Sequence, residues 1–410
     1  MVSRQPTTQI ALASLLLVIA AGEVLTRFHA VGGLSVNALF SLAVLGLLVV
    51  SLAGTRTTLH QRMPAVLWLS TLWFFARGIS PLEPVAGSQQ LLAWAVFVAA
   101  VFVGRTIDVG MGRTDRLLAW MERLGFAWAL VSIVEAASRH VDVAFPALTG
   151  RATSAMLVTL LAVAWARWIT GRRRLSFVAV VVIFAAIVIG EARTASIAAL
   201  VAAVSMWSVV TFRWSFSYTV KATFAGLLFV TVTVLVLAWT PAGSRIVSGL
   251  AQLPTMLADP TGGVAAGVTQ GRSTVWAHMI ARVAEAPMLG YGAGAAAWAS
   301  FDVTQSNHWR HPHNDYLRVL HDTGLIGLVL LVGLLVSLAG TALRVIRRSR
   351  RSMSNAPIEA VAALGSLAGI GALMLTDNVI VYTYVLVPTG LLAGKALARR
   401  CVRTGTGHTG

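Results

Sequence analysis

The sequence predicts an all-α polytopic membrane protein with about twelve transmembrane helices and one large extracytoplasmic loop carrying short helices. Three observations lead there. Of the 410 residues, 57% are hydrophobic and only 11% charged, with a mean hydropathy of +0.78. Ordinary soluble domains carry roughly a quarter charged residues, and a water-soluble globule of this length has too little interior for so much apolar surface. The apolar residues also fall into runs near the roughly 20 residues that cross a bilayer as helix. Finally, the net charge of +17 comes from 30 arginines and two lysines (Lys221 and Lys395) set in short clusters between those runs. Charge placed this way records membrane topology rather than a nucleic-acid footprint, so no nucleic-acid partner is expected. The single cysteine, Cys401, excludes an intramolecular disulfide and any cysteine-based zinc or iron–sulfur centre.

In chain order the spans read 10–26, 34–53, 64–77, 89–104, 117–137, 153–170, 175–190, 194–211, 219–240, 323–343, 357–376 and 379–397. The first follows Arg4 and has the make-up of a signal-peptide core, but in a multi-spanning chain it reads as a retained first helix. The third, fourth and seventh runs are short. The fifth carries Glu122 and Arg123 near its start and has the weakest signature. Placing the N-terminus inside puts 21 of the arginines and lysines on cytoplasmic connections and 10 outside, which sets both termini inside. The domains are then 1–240 with helices 1–9, an extracytoplasmic loop 241–322, helices 10–12 over 323–400, and a cytoplasmic tail 401–410. A multi-pass location in a membrane is expected.

The loop is the one long connection, and long loops are commonly functional. Pro254 and Pro260 punctuate it and Gly262–Gly267 loosens it. Over 272–285, Val275, Trp276, Met279, Ile280 and Val283 recur at helical spacing, a stripe suited to lying on the bundle or the membrane surface. Gly290-Tyr291-Gly292-Ala293-Gly294 lacks the preceding strand and the following Lys-Ser/Thr of a phosphate loop, so it reads as a turn.

Four of the nine histidines crowd into Asn307-His308-Trp309-Arg310-His311-Pro312-His313-Asn314-Asp315-Tyr316-Leu317-Arg318 and the following His321-Asp322. Pro312 keeps its predecessor out of helix, so a helix starts near Asn314 with His313 at its N-terminus. The positive end of that helix favours a neutral imidazole, suited to act as a base, and attracts a diphosphate. A metal site made of His311, His313 and Asp315 is the rival reading. It would need an extended chain, which Pro312 and the helical continuation oppose, so no metal is assigned. Arg193 sits in a very short turn at the outer mouth of the membrane, where an arginine needs an anion or a wet cavity. Arg272 opens the loop helix, where a guanidinium fork and backbone donors suit phosphate oxygens. Asn314, Tyr316, Arg318, Arg151 and Arg77 are secondary candidates. Glu23, Glu135 and Asp377 lie near span ends but form no regular acidic relay.

With these residues in this order, the chain resembles the O-antigen ligase and polymerase family of bacterial membrane glycosyltransferases. The family's His-Asn-x-Tyr-Leu stretch, acidic residue and Gly-x-x-Gly read here as His313-Asn314-Asp315-Tyr316-Leu317, Asp322 and Gly324-x-x-Gly327. Its Ser-Arg-Thr turn resembles Ala192-Arg193-Thr194. Its Gly-Arg…Trp loop-helix start resembles Gly271-Arg272…Trp276, followed by Pro287-x-x-Gly290-x-Gly292. Ala192 replaces the usual serine, Asp322 stands where glutamate is commoner, and an Asn-rich start to the sixth span is reduced to Arg151-Ala152-Thr153-Ser154.

The resemblance implies an undecaprenyl-diphosphate-linked glycan donor at the outer leaflet and a glycan, lipid or protein hydroxyl as acceptor. It implies His313 as general base and Arg193 and Arg272 as diphosphate clamps, with no cofactor and with membrane lipids as surroundings. The readings from other classes are a non-catalytic polysaccharide or lipid transporter, which leaves the one-sided His/Arg loop unexplained, and a metal-dependent membrane hydrolase.

Overall fold

The computed structural model describes residues 36–53, 63–106, 111–140, 150–170, 174–190, 193–211, 220, 272–305, 311–351 and 357–402. Within them the chain forms α1 (Val36–Ala53), α2 (Ala65–Arg77), α3 (Pro84–Thr106), α4 (Met111–His140), α5 (Arg151–Ile169), α6 (Leu175–Ile189) and α7 (Arg193–Thr211). The loop region contributes α8 (Arg272–Val283) and α9 (Ala295–Thr304). Then come α10 (Asp315–Arg351), α11 (Ile358–Leu373), a 3-10 turn (Val379–Val381) and α12 (Thr383–Val402). Among the described residues there is no strand, only an isolated parallel bridge between Ile79 and Ala293.

Each expected span that falls on described residues coincides with a helix. The exceptions, 10–26 and nearly all of 219–240, lie outside the described residues, as do Pro254, Pro260 and Gly262–Gly267. Pro84–Thr106, Asp115–Ser138, Ala152–Ile169 and Asp315–Ser349 are long and apolar enough to cross a membrane. Among the described residues six shorter apolar helices accompany them, including Ile358–Leu373 and Thr383–Ala398.

Small residues set the closest packing. A side chain at Gly104 would overlap the Leu391 backbone, and one at Gly394 would overlap the Val101 carbonyl, so α3 and α12 meet backbone to backbone. Gly369 admits Val158 and Ala198 in the same way, joining α11 to α5 and α7. Three buried hydroxyls, Thr159, Ser366 and Thr389, link α5, α11 and α12 at 2.9–3.2 Å. The charged start of the fifth predicted span is resolved by a partner. Arg167, 1% exposed at the end of α5, pairs with Asp115 at 2.9 Å and Glu122 at 2.5 Å, so these two α4 carboxylates meet a buried counter-charge, while Arg123 lies over the Trp120 ring.

That ion-pair cluster marks one end of the bundle. The opposite end gathers the C-termini of α2 and α11, the N-termini of α3, α10 and α12, and the loop helices α8 and α9. Ser80 N–H donates to Ala293 O and Asp315 N–H to Met374 O, at 2.9 and 2.8 Å. The apolar stripe of α8 turns onto the bundle: Val275 and Met279 bury against Ala296, Ala299 and Leu317, while Ile280 stays exposed.

Gly324 divides α10. Its φ of 71° breaks the helix between a buried polar start and the apolar remainder, one residue past the expected start of the tenth span at 323. A side chain there would overlap the Met288 backbone, and Leu325 N–H donates to Pro287 O at 2.8 Å. Just before the break, the His321 and Asp322 carbonyls accept from Tyr291 and Gly292 N–H. The Asp322 carboxylate accepts from Gly294 N–H at 3.0 Å and Ala296 N–H at 2.7 Å, holding the start of α9. The glycine-rich segment is thus the expected turn. Together with Asp322 and Gly324 it fastens the loop to α10.

Candidate active site

The site residues gather where the first turn of α10 meets the α11–α12 connection. Asn314 caps α10: its Oδ1 accepts from Leu317 N–H at 2.9 Å, three residues on. Three bonds then tie this turn to the neighbouring connection. Asp315 N–H reaches Met374 O, the Asp315 carboxylate accepts from Ile380 N–H at 2.8 Å, and Tyr316 Oη–H donates to Gly371 O at 2.8 Å. The helix therefore starts at a fixed height and rotation.

His313, immediately before the cap, has φ +50°. A non-glycine residue held in this left-handed region costs about 1–3 kcal/mol, and such strain persists only where surroundings over-determine it. They do so here. Trp276 of α8 donates its indole N–H to Pro312 O at 2.7 Å, and Asn378 Oδ1 accepts from His313 N–H at 3.0 Å. The backbone is pinned on both sides of the strained residue, so the ring is aimed by three elements at once.

The ring's Nδ1 lies 2.8 Å from Asn378 Nδ2 and 3.7 Å from Asp377 Oδ1. Asp377 is buried, and burial alone would raise its carboxyl. The His313 ring, when its Nδ1 carries a proton, the Asn378 backbone N–H at 2.8 Å and the Tyr382 hydroxyl at 3.2 Å outweigh this and hold it below the usual carboxylate range. An ionised carboxylate is therefore maintained beside the imidazole. Arg318, 3% exposed, donates to His311 Nδ1 at 2.8 Å and Asn378 Oδ1 at 3.0 Å, with Asp315 3.7 Å away. Arg272 reaches the same connection from α8 and donates to Thr376 O at 3.3 Å.

The structure thus brings together His313, Asn314, Tyr316, Arg318 and Arg272. Arg193 heads α7, which packs on α11, and Arg151 heads α5; nothing is described of either side chain. Arg77 stands apart, donating to Gly290 O at 3.0 Å and so bracing the loop turn. His308 and Arg310 lie outside the described residues. His321 is fully buried beside Asp322 with Tyr291 stacked on it, away from the His313 turn. His311, His313 and Asp315 are engaged with different partners, and among the described residues no three histidines, cysteines or carboxylates are grouped as metal ligands.

Sequence reasoning missed Asn378 and gave Asp377 no partner. The available signal was the polar pair Asp377-Asn378, wedged between two apolar runs with no room for a true loop.

Residues 178–332 match a family model described as O-Antigen ligase. The matched stretch runs from within α6 to within α10, so it includes Arg193, Arg272 and His313 and stops before Asp377 and Asn378. No curated protein matches the chain.

Proposed function

We propose, from the likeness of residues 178–332 to the O-Antigen ligase family model, that this chain is a membrane glycosyltransferase. It transfers a glycan from an undecaprenyl-diphosphate donor to an acceptor hydroxyl, as an O-antigen ligase or a polysaccharide polymerase. The observation that carries this reading is His313. It is held in a strained conformation at a helix N-terminus, beside the Asp377 carboxylate of the α11–α12 connection that Arg272 also reaches.

In the reaction the acceptor oxygen bonds to the anomeric carbon as that carbon's bond to the diphosphate breaks. The hydroxyl proton passes to His313, and the bond's electron pair leaves with the lipid diphosphate. A neutral imidazole suits this task near pH 7. Arg272 and Arg193 hold the diphosphate and neutralise charge as it departs, a role for which planar guanidinium forks are fitted. Asp377 favours the imidazolium that forms. The loop and the His313 end of the bundle face the extracytoplasmic side, where the donor is presented, and both termini are cytoplasmic.

The test is transfer by the purified protein in nanodiscs, with lipid-diphosphate glycan and acceptor, in the presence and absence of EDTA. Metal-independent transfer is expected. His313→Ala is expected to lose roughly 100- to 10,000-fold in rate, the usual worth of a positioned general base, while still binding donor. His311→Ala is expected to lose far less. Absence of turnover in the wild type would indicate a transporter, EDTA-sensitive release would indicate a metal hydrolase, and full activity of His313→Ala would remove the mechanism.

A further inference from the structure

The geometry points to Asn378 as a positioning residue that holds His313 at rest with its proton on Nε2, so that the ring becomes a base only after its proton moves to Nδ1, facing Asp377. This rests on the reading of His313 as the base and adds the device that sets its starting state.

The argument begins with which end of the Asn378 amide is oxygen. One terminal atom lies 3.0 Å from His313 N–H and 3.0 Å from an Arg318 guanidinium nitrogen. Both neighbours can only donate, so that atom must accept and is the oxygen. The other terminal atom is then the NH2, which can only donate, and it lies 2.8 Å from His313 Nδ1. Nδ1 must therefore offer a lone pair. A neutral imidazole with Nδ1 unprotonated carries its proton on Nε2. Asn378 is 1% exposed, so its amide has no bulk solvent to turn toward.

The same Nδ1 has a second neighbour with the opposite demand. Asp377 Oδ1, 3.7 Å away, can only accept while ionised, and it would bind a protonated Nδ1. The ring sits between a donor at hydrogen-bond distance and an acceptor beyond it. The resting form thus presents an N–H from Nε2, suited to an oxygen of the substrate. The form able to take a proton at Nε2 needs one proton lost there and one gained at Nδ1, exchanged through water with no net change. It also needs Nδ1 to leave Asn378 for Asp377. The charged and titratable groups facing this pair are Arg318, with His311 and Asp315 behind it, Tyr382 on Asp377, and Arg272 at Thr376.

Asn378→Asp is the discriminating variant. A carboxylate keeps both acceptor contacts, to His313 N–H and Arg318, and replaces only the donor to Nδ1. The experiment is nitrogen NMR of full-length protein labelled at histidine in nanodiscs, with the His313 signals identified by their loss in His313→Asn. An unprotonated ring nitrogen resonates far downfield of a protonated one. Wild type is expected to show Nδ1 downfield and Nε2 upfield, and N378D to show the two reversed. A wild-type Nδ1 that carries the proton overturns the proposal, even if N378D fails to fold. So does a folded N378D with the wild-type pattern. The readout needs no turnover. If the tautomers behave as stated while His313→Ala stays fully active, the catalytic reading fails and the positioning by Asn378 stands.

Discussion

Removing the Asp322 carboxylate should loosen the start of α9 from α10. In Asp322→Ala the N–H groups of Gly294 and Ala296 lose their acceptors, and these bonds are buried at 3.0 and 2.7 Å. A buried donor left without a partner costs about 1–3 kcal/mol, so the pair costs roughly 2–6 kcal/mol. The bonds from Tyr291 and Gly292 to the backbone of residues 321 and 322 survive the substitution, so the damage falls on the start of α9 and on the buried His321 ring, whose Nδ1 loses its contact with Asp322 at 3.3 Å. Since about 1.4 kcal/mol is a factor of ten in an equilibrium, even the low end of that range opens α9 roughly 30-fold more often. Asp322→Asn keeps one acceptor oxygen and should lose about half as much. Hydrogen exchange followed by mass spectrometry, in nanodiscs, reads this directly. Peptides over 290–300 should exchange faster in the order wild type, Asn, Ala, while peptides from the α3–α12 seam stay unchanged. Equal protection of residues 290–300 in wild type and Asp322→Ala would show that the carboxylate does not hold the loop.

Arg272→Ala should remove most transfer activity, and Lys should restore only part of it, because a point charge lacks the guanidinium fork. Near-normal rates for the Ala variant, measured on protein with wild-type stability, would withdraw Arg272 from the diphosphate site. Reporter fusions at Gly262 and after Gly410 should report extracytoplasmic and cytoplasmic positions respectively, and a cytoplasmic signal at Gly262 would reverse the sidedness of the site. Tyr382→Phe should lower stability near neutral pH and bring the two proteins together in acid. The folded Asp377 carboxyl lies below its unfolded value, so its contribution is present above the ordinary value of about 4 and is lost as pH falls through the folded one. Without the Tyr382 hydroxyl that folded value rises, so the contribution above about 4 is smaller and less of it remains to be lost. Thermal midpoints of both proteins between about pH 3 and 7 measure this, and coincident curves would count against the contribution of Tyr382.

Where the sequence succeeded, it did so through patterns local to one segment. Apolar runs of helix length are one-dimensional signals, because a bilayer imposes length on each helix separately. The stripe over 272–285 is likewise local, and its Val275 and Met279 face the core. Pro312 followed by Asn314 marks a helix start because one restricts its predecessor and the other caps the following turn. The helix accordingly begins at Asp315. Arg77 shows the limit of this reasoning. An arginine at an outer span end reads as an anion site from the sequence, yet its guanidinium holds the Gly290 carbonyl, 213 positions away. Nothing local to Arg77 distinguishes a phosphate oxygen from a distant backbone one.

The environment of His313 was illegible for the same reason. Asp377 and Asn378 are 64 and 65 positions away, beyond both α10 and α11, and lie outside the family match at 178–332. Hydropathy treats them as the two residues needed to reverse direction between apolar runs. Their meaning comes from helix packing: α11 returns beside α10, so the turn after it arrives at the height of the His313 cap, where Asp315 N–H fastens to Met374 O. Once that bond sets the register, Asn378 meets both the strained backbone and the ring of His313, and Asp377 waits behind it. A histidine motif alone therefore specifies a candidate base but not its protonation state. That state is decided by a buried amide whose orientation two other donors impose, and it becomes readable only when three helices are seen to end at one level.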